Sequence, residues 1–512
     1  MSDSPGRIRN RNSNPPSPNP NPNPNSKPPP PLTKRGRTLS LPDVWFKDQS
    51  LKHVVWKMHL RSLSTTPSPP SSDSDFSLLG FQSPLDPITR PDCTSLLSDE
   101  LLLQVFSRLP SSQYISNSLV CKRWLYIHGR LVQSIKLNEW SFLNSGRIFT
   151  RFPNLVEIGI LNACFVTPRN SGIVLTHKYL SIHIGTDYTD YGMFIEGSRI
   201  LPSDFIDCGL EMIAKQYSNL RRIVVFNASE TGLLSISGKC ETLQELELHC
   251  CGDFALNGIS GCRNLQVVKL VACVDGFYNT VVSDIGLTIL AQGCSRLVKL
   301  ELCGCEGSYD GIKAIGQCCQ MLGELTISDH RMDGGWLAAL SFCVNLKTLT
   351  MKSCKSIDSS PGLVEHLGSC PTLEELHLQQ CQMRDKPGLK ALFLVCDAVR
   401  EIVFQNCWGL EDEVFATASV CRRVKLVSLE GCSSLTTGGL EAVILNWKDL
   451  QRLRVMSCNK IKDGEVSPAL ASLFSVLKEL KWRPDSKSLV SSSLAGTGVG
   501  NKGGRFFKGM KG

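Results

Sequence analysis

From residue 370 the chain alternates apolar and polar positions in a short frame that recurs along most of its length. The stretch CPTLEELHLQQC sets Cys370, Leu373, Leu376, Leu378 and Cys381 at fixed offsets. Leu376 and Leu378 alternate with Glu375, His377 and Gln379, the period-two pattern of a strand with one buried face. The same frame fits 240–251, 262–273, 294–305, 343–354, 396–407 and 421–432, and more loosely 319–330 and 447–458, mostly 22 to 27 residues apart. The second Cys falls where the chain turns off the strand, as a small buried hydrophobe with a weak S–H donor. A polar turn and a helical stretch follow, as in DKPGLKALFLVC, where Leu389, Leu392 and Leu394 face inward and Asp385 or Lys386 lies near the helix start.

One strand and one helix cannot bury their own apolar faces, so the units must stack on a shared core. The period and the L-x-x-L-x-L-x-x-C pattern resemble leucine-rich repeats. The fold expected for residues 141–484 is therefore an α/β solenoid with a parallel sheet on its concave face and helices on its convex face. Its frame runs from about Leu155 to Trp482 and breaks between Leu155 and Leu220. There, residues 172–184 read as an irregular repeat and residues 185–194, GTDYTDYGMF, as an exposed acidic and aromatic loop. The interval from Leu265 to Leu297 is also long, with Phe277, Tyr278 and Asn279 in the excess.

Upstream the pattern changes twice. Residues 1–94 read as largely disordered, since Pro, Asn and Ser dominate 1–37 and leave little apolar surface to offset ordering entropy. Within them, residues 43–63 carry Leu51, Val54, Val55 and Met58 at helical spacing beside Trp45, Phe46 and Trp56, an amphipathic segment that docks on the protein's own body or on a partner. Residues 95–140 predict three short helices. Ser98 is the N-cap of the first, Leu101, Val105 and Leu109 share one face, and Pro110 stops it. A second carries Leu119, Val120 and Trp124, and a third segment lies around Leu131 and Ile135. Leucines on more than one face of the first helix, Leu102 and Leu103 besides Leu101, point to a partner helix.

These residues resemble an F-box: Leu97-Ser98-Asp99-Glu100-Leu101-Leu102, then Val105-Phe106-Ser107-Arg108-Leu109, then Leu119-Val120-Cys121-Lys122-Arg123-Trp124. Ser98 stands where the family pattern has Pro. An F-box ahead of cysteine-containing leucine-rich repeats is similar to the F-box/leucine-rich-repeat family, prominent in plants. The resemblance implies a substrate receptor of a Skp–cullin–F-box ubiquitin ligase. Leu97, Ser98, Glu100, Leu101, Leu102, Val105, Phe106, Leu119 and Trp124 would then bind a Skp-type adaptor, and through it a cullin, while the solenoid holds a protein substrate. A repeat scaffold or inhibitor without a ligase role is the alternative reading.

Charge and chemistry narrow the classes. Twelve Lys/Arg stand against seven Asp in residues 1–92 and five against one in 485–512, so the net charge of +8 sits in the tails, the last a flexible basic one. A nucleic-acid reader would carry its basic face on the fold itself, so neither nucleic acid nor, without a long apolar run, membrane is expected as a partner. Lys34-Arg35-Gly36-Arg37 reads as an import signal or a solubilising run, and the location expected is nucleus, cytoplasm or both. The 23 cysteines contain no C-x2-C cluster, so metal is not expected and the ladder cysteines are read as reduced. No constellation of catalytic residues or cofactor fingerprint appears, so no cofactor is expected, although a small-molecule co-ligand in the solenoid stays open. Function is thus assigned to surfaces. Residues between the buried leucines face the concave side, acid-rich in the middle and basic at the end. Arg452, Arg454, Lys481 and Arg483 are the candidate contacts there for an acidic or phosphorylated substrate segment.

Overall fold

The computed structural model describes residues 93–165, 200–274 and 278–485, with the backbone of two short strands at 174–175 and 180–181. The segments at 34–37, 43–63 and 185–194, Phe277 and the tail past 485 lie outside the described residues.

Thirteen parallel strands form one sheet in strict sequence order: β1 (Ser134–Lys136), β2 (Glu157–Gly159), β3 (Arg222–Phe226), β4 (Glu245–His249), β5 (Val267–Val271), β6 (Lys299–Cys303), β7 (Glu324–Ser328), β8 (Thr348–Lys352), β9 (Glu375–Gln379), β10 (Glu401–Gln405), β11 (Leu426–Glu430), β12 (Arg452–Met456) and β13 (Glu479–Arg483). Equivalent positions lie side by side: Leu376 stands between Leu349 and Ile402. The second and fourth residues of each five-residue strand point to the helical layer and are buried, as Leu376 and Leu378 are. One core runs without a gap from Leu137 to Trp482, so each repeat is stabilised by its neighbours.

A shared backbone device ends the strands. Asn227, Cys250, Asp329, Ser353, Gln380, Asn406 and Ser457 all follow a strand with φ between 46° and 57°, and Gly304 and Gly431 do the same at 61° and 65°. The left-handed residue donates its N–H to the last carbonyl of the next strand: Gln380 to Gln405 at 2.7 Å, Asn406 to Glu430 at 2.7 Å, Ser457 to Arg483 at 3.0 Å. In seven of these nine turns the next residue is a cysteine, Ala228 and His330 taking its place in the other two, and its thiol can donate back to the previous strand, Cys407 to the Leu378 carbonyl at 3.2 Å and Cys381 to that of Met351 at 3.5 Å. After β13 the equivalent position is Pro484, which has no N–H, and the ladder ends there.

A second ladder joins the helical layer. Asp253 accepts from the Ser283 N–H (2.8 Å), the Ser283 hydroxyl (2.6 Å) and the Gly286 N–H (3.1 Å) of the next repeat. Asp284 does the same for Ser308 and Gly311 at 2.8, 2.6 and 2.9 Å. Asp207 serves Ser229, and Asp412 serves Thr436. These Ser and Thr residues also cap their own helices, Glu230–Lys239, Asp284–Gly293, Tyr309–Cys318 and Thr437–Ile444. Glycine is required because a Cβ on Gly286 or Gly311 would lie 2.3 Å from the aspartate oxygen.

The structure shifts two expected boundaries. The third helix, α3 (Lys122–Leu131), stops at Val132, whose extended backbone leads straight into β1. Ile135 is therefore a strand residue, and the solenoid starts near 134 rather than at 141. β2 lies directly beside β3, and the described part of the interval between Leu155 and Leu220 carries the helix Ser203–Gln216, while most of the irregular repeat expected at 172–184 lies outside the described residues.

Candidate functional site

Two surfaces stand apart from the core. The first is made by α1 (Asp99–Ser107), α2 (Tyr114–Ser118) and α3. Ser98 caps α1, its hydroxyl accepting from the Leu101 N–H at 3.3 Å. Arg123 of α3 fastens the start of α1: it donates to the Asp99 carboxylate at 2.8 Å, to the Thr94 carbonyl at 3.0 Å and to the Leu97 carbonyl. Leu102, Phe106 and Ile127 form the small core of this unit, with Leu103, Leu109, Trp124 and Leu131 packed around them. Phe106 stacks on His128 at 4.2 Å and meets Trp124 edge-on at 4.7 Å. His128 is buried, its ring nitrogens lack a hydrogen-bond partner among the described residues, and burial lowers its pKa.

This arrangement corrects part of the expected adaptor face. Leu102 and Phe106 point inward, because three short helices must bury something to hold together. Trp124 is half-buried against the same core. Leu101 and Val105, four residues apart and half exposed, form the outward stripe of α1, and Leu97, just ahead of the Ser98 cap, is also exposed. Ile115 and Leu119 repeat that spacing at α2 and are 70% and 62% exposed. Glu100 is exposed and stands 3.9 Å from Arg130. Sequence reasoning missed Arg123, whose three contacts set the unit's geometry.

The second surface is the open face of the sheet, formed by the first and third residues of the strands and, from β8 on, by the fifth. Its charges are organised at both ends. On β4, Glu247 accepts from His249 (2.9 Å) and Lys269 (2.6 Å), with Arg222 at 3.7 Å. Burial alone would raise this carboxyl, but the His249 hydrogen bond and the Lys269 ammonium outweigh it and hold it at about 2. Lys299 joins Glu301 and Glu324 at 3.4 and 3.1 Å. At the other end Arg452 binds Glu401, Arg454 grips Glu479 with two hydrogen bonds of 3.1 and 3.2 Å, and Lys481 lies 3.4 Å from Glu479. The expected basic contact site is thereby corrected. Register sets Glu479 beside Arg452 and close to Arg454, so Arg452, Arg454 and Lys481 are matched by carboxylates of the same face. Arg483 is exposed on the last strand.

The described cysteines are free thiols, and burial pushes Cys251, Cys294, Cys343 and Cys407 up to about 12. Among the described residues no cluster of three or more His, Cys, Asp or Glu is arranged to hold a metal ion, and no helix is long and apolar enough to cross a membrane.

Comparison with known proteins falls on both parts of the chain. The F-box domain family matches residues 94–127. F-box/LRR-repeat protein 4 of Bos taurus is 29% identical over 220 residues, which cover 40% of this chain and 30% of that protein, so the match spans less than a third of the relative's length. Among solved structures, an internalin from Listeria monocytogenes shares 14% identity with a TM-score of 0.29, over 48% of this chain and 69% of that one. The plant peptide hormone receptor RGFR1, in complex with RGF2, shares 17% with a TM-score of 0.29, over 48% and 40%. An F-box at 94–127 thus runs directly into thirteen stacked leucine-rich strands, an arrangement similar to that of the F-box/leucine-rich-repeat proteins.

Proposed function

We propose that the chain is the substrate-recognition subunit of an SCF-type ubiquitin ligase. Its F-box holds a Skp-type adaptor and through it a cullin, and its sheet holds a protein substrate for ubiquitin-dependent proteasomal degradation. The observation that supports this best is the apolar stripe of Leu101 and Val105, with Leu97 just ahead of it, left outside a unit that already has its own core. The chain itself makes and breaks no bond in this reading. It raises the effective concentration of a substrate lysine near a charged ubiquitin carrier.

The test follows from which side chains face out. A Leu101→Ala, Val105→Ala double variant loses about 30-fold in adaptor affinity, the equivalent of about 2 kcal/mol for buried apolar anchors. Its thermal unfolding matches wild type, because neither residue is in the core. Phe106→Ala instead unfolds the F-box. Adaptor capture at wild-type affinity by the double variant, measured by calorimetry, would remove this face from the reading.

A further inference from the structure

Between its two charged networks the open face changes character. The middle residues of β7 to β11 are Thr326, Thr350, His377, Val403 and Ser428, side by side in register. Five successive strands thus carry no Lys, Arg, Asp or Glu at their centre, and four of the five residues are small. This makes a trough in which a partner's backbone can come close to the sheet.

Two acids and one base border the trough without an ion pair to a Lys, Arg, Asp or Glu among the described residues: Glu375, Lys352 and, on β11 three strands from Lys352, Glu430, which accepts from Gln405 Nε2 at 3.3 Å. Glu324 is held by Lys299, Glu401 by Arg452, and Glu479 by Arg454 and Lys481. Glu375, the first residue of β9, has no Lys or Arg within ion-pair distance among the described residues. It accepts the Thr348 hydroxyl at 3.3 Å and lies 3.5 Å from His377 Nε2. That Nε2 atom is itself buried without a hydrogen-bond partner among the described residues, which leaves it facing Glu375. On the far side Lys352, the last residue of β8, has no carboxylate within ion-pair distance among the described residues. Glu375 aligns with Thr348, four residues before Lys352, which separates the two charges by about 13 Å along the strands.

We propose that this trough docks an extended segment of a protein substrate that sets one cation on Glu375 and one anion on Lys352. Small uncharged side chains lie between them, over Thr350 and His377. The inference rests on the substrate-receptor reading and names the part of the sheet that recognises. Two opposite charges at a fixed spacing specify register and reject segments carrying two like charges. The terminal networks are already neutralised and hold the flanks of the trough in place.

An extended Lys-x-x-x-Glu spans the same distance, so fluorescein-labelled peptides with Ser and Thr around Lys-x-x-x-Glu, Glu-x-x-x-Glu, Lys-x-x-x-Lys or no charge serve as probes. Fluorescence polarisation with the full chain at low salt should show the Lys/Glu peptide preferred at least tenfold over the others. Glu375→Lys should shift the preference to Glu-x-x-x-Glu, and Lys352→Glu to Lys-x-x-x-Lys. Glu375→Gln, the milder change, should bring Glu-x-x-x-Glu level with Lys-x-x-x-Glu while both stay ahead of Lys-x-x-x-Lys. Equal binding of all four peptides, none binding, or a preference unmoved by the Glu375 variants overturns the proposal. So does an acidic peptide whose binding responds only to Arg452→Glu and Arg454→Glu. The Leu101→Ala, Val105→Ala variant keeps the two readings apart: it loses adaptor and retains the peptide preference. Adaptor binding without peptide selectivity leaves the receptor reading standing and this site refuted.

Discussion

At the residue scale, conformation decides more than side-chain identity in the turn after each strand. A left-handed backbone costs an L-residue about 1–2 kcal/mol, and glycine gives back part of that gain in unfolded-state entropy. Ser457, exposed and at φ 53°, is the clean test. Ser457→Gly should stabilise by about 0.5–1 kcal/mol in urea unfolding. Gly431→Ala should destabilise by more than backbone strain alone, since its Cβ would stand 2.2 Å from the Asn406 side-chain oxygen. Equal stabilities for these variants and wild type would show that the left-handed turn is not under strain. His128 gives a second residue-scale prediction, through pH. Its pKa is lowered in the fold by burial, so the unfolded chain binds the extra proton first. Stability is therefore full above the unfolded value, near 6.5, and declines as pH falls below it. F-box unfolding followed by Trp124 fluorescence should come at lower temperature at pH 5.5 than at pH 7.5, and His128→Leu should remove most of that difference.

At the element scale, the aspartate ladder links helices that the sequence frame shows only one at a time. Asp284→Ala leaves the Ser308 N–H, the Ser308 hydroxyl and the Gly311 N–H without their acceptor, a loss of about 2–3 kcal/mol for bonds to a charged group. Amide hydrogen exchange should rise at Ser308 and Gly311 and stay unchanged at the F-box. Unaltered protection at those two amides would make the ladder incidental. The strands themselves were legible because a two-residue period between fixed cysteines has few other physical solutions. The ladder was not, although its mark is present as Ser283-x-x-Gly286, Ser308-x-x-Gly311 and Thr436-x-x-Gly439. That spacing reads as an ordinary cap until the neighbouring repeat supplies the acid. The adaptor face was only half legible for a similar reason. Leu101 and Leu102 are equally apolar, and only the packing of α3 against α1 decides that Leu102 and Phe106 face in while Leu101 and Val105 face out. The basic end of the sheet misled because charge counted along the sequence ignores the carboxylates that strand register sets beside it.

At the scale of the whole described body, the join between F-box and sheet determines what the two surfaces can do together. Two residues, Val132 and Gln133, separate the end of α3 from β1. Across that join a Cβ on Gly129 would come 1.8 Å from the Arg151 carbonyl oxygen, and Asn154 donates to the Arg130 carbonyl at 2.8 Å. Helix backbone thus rests directly on the solenoid's first repeat, closer than any side chain allows, which favours a single orientation over a hinge. A receptor that works by positioning needs such a join, because small displacements of a reacting group are costly. Gly129→Val should force the two backbones apart. Adaptor affinity should change by less than about twofold, since the α1 stripe is remote from the contact and the bonds it makes are its own. Hydrogen exchange should increase at Arg130 to Gln133, and limited proteolysis should open the chain there before it attacks the sheet. Wild-type protection at those residues, in a variant that still folds, would mean that the contact at Gly129 does not hold the F-box in place.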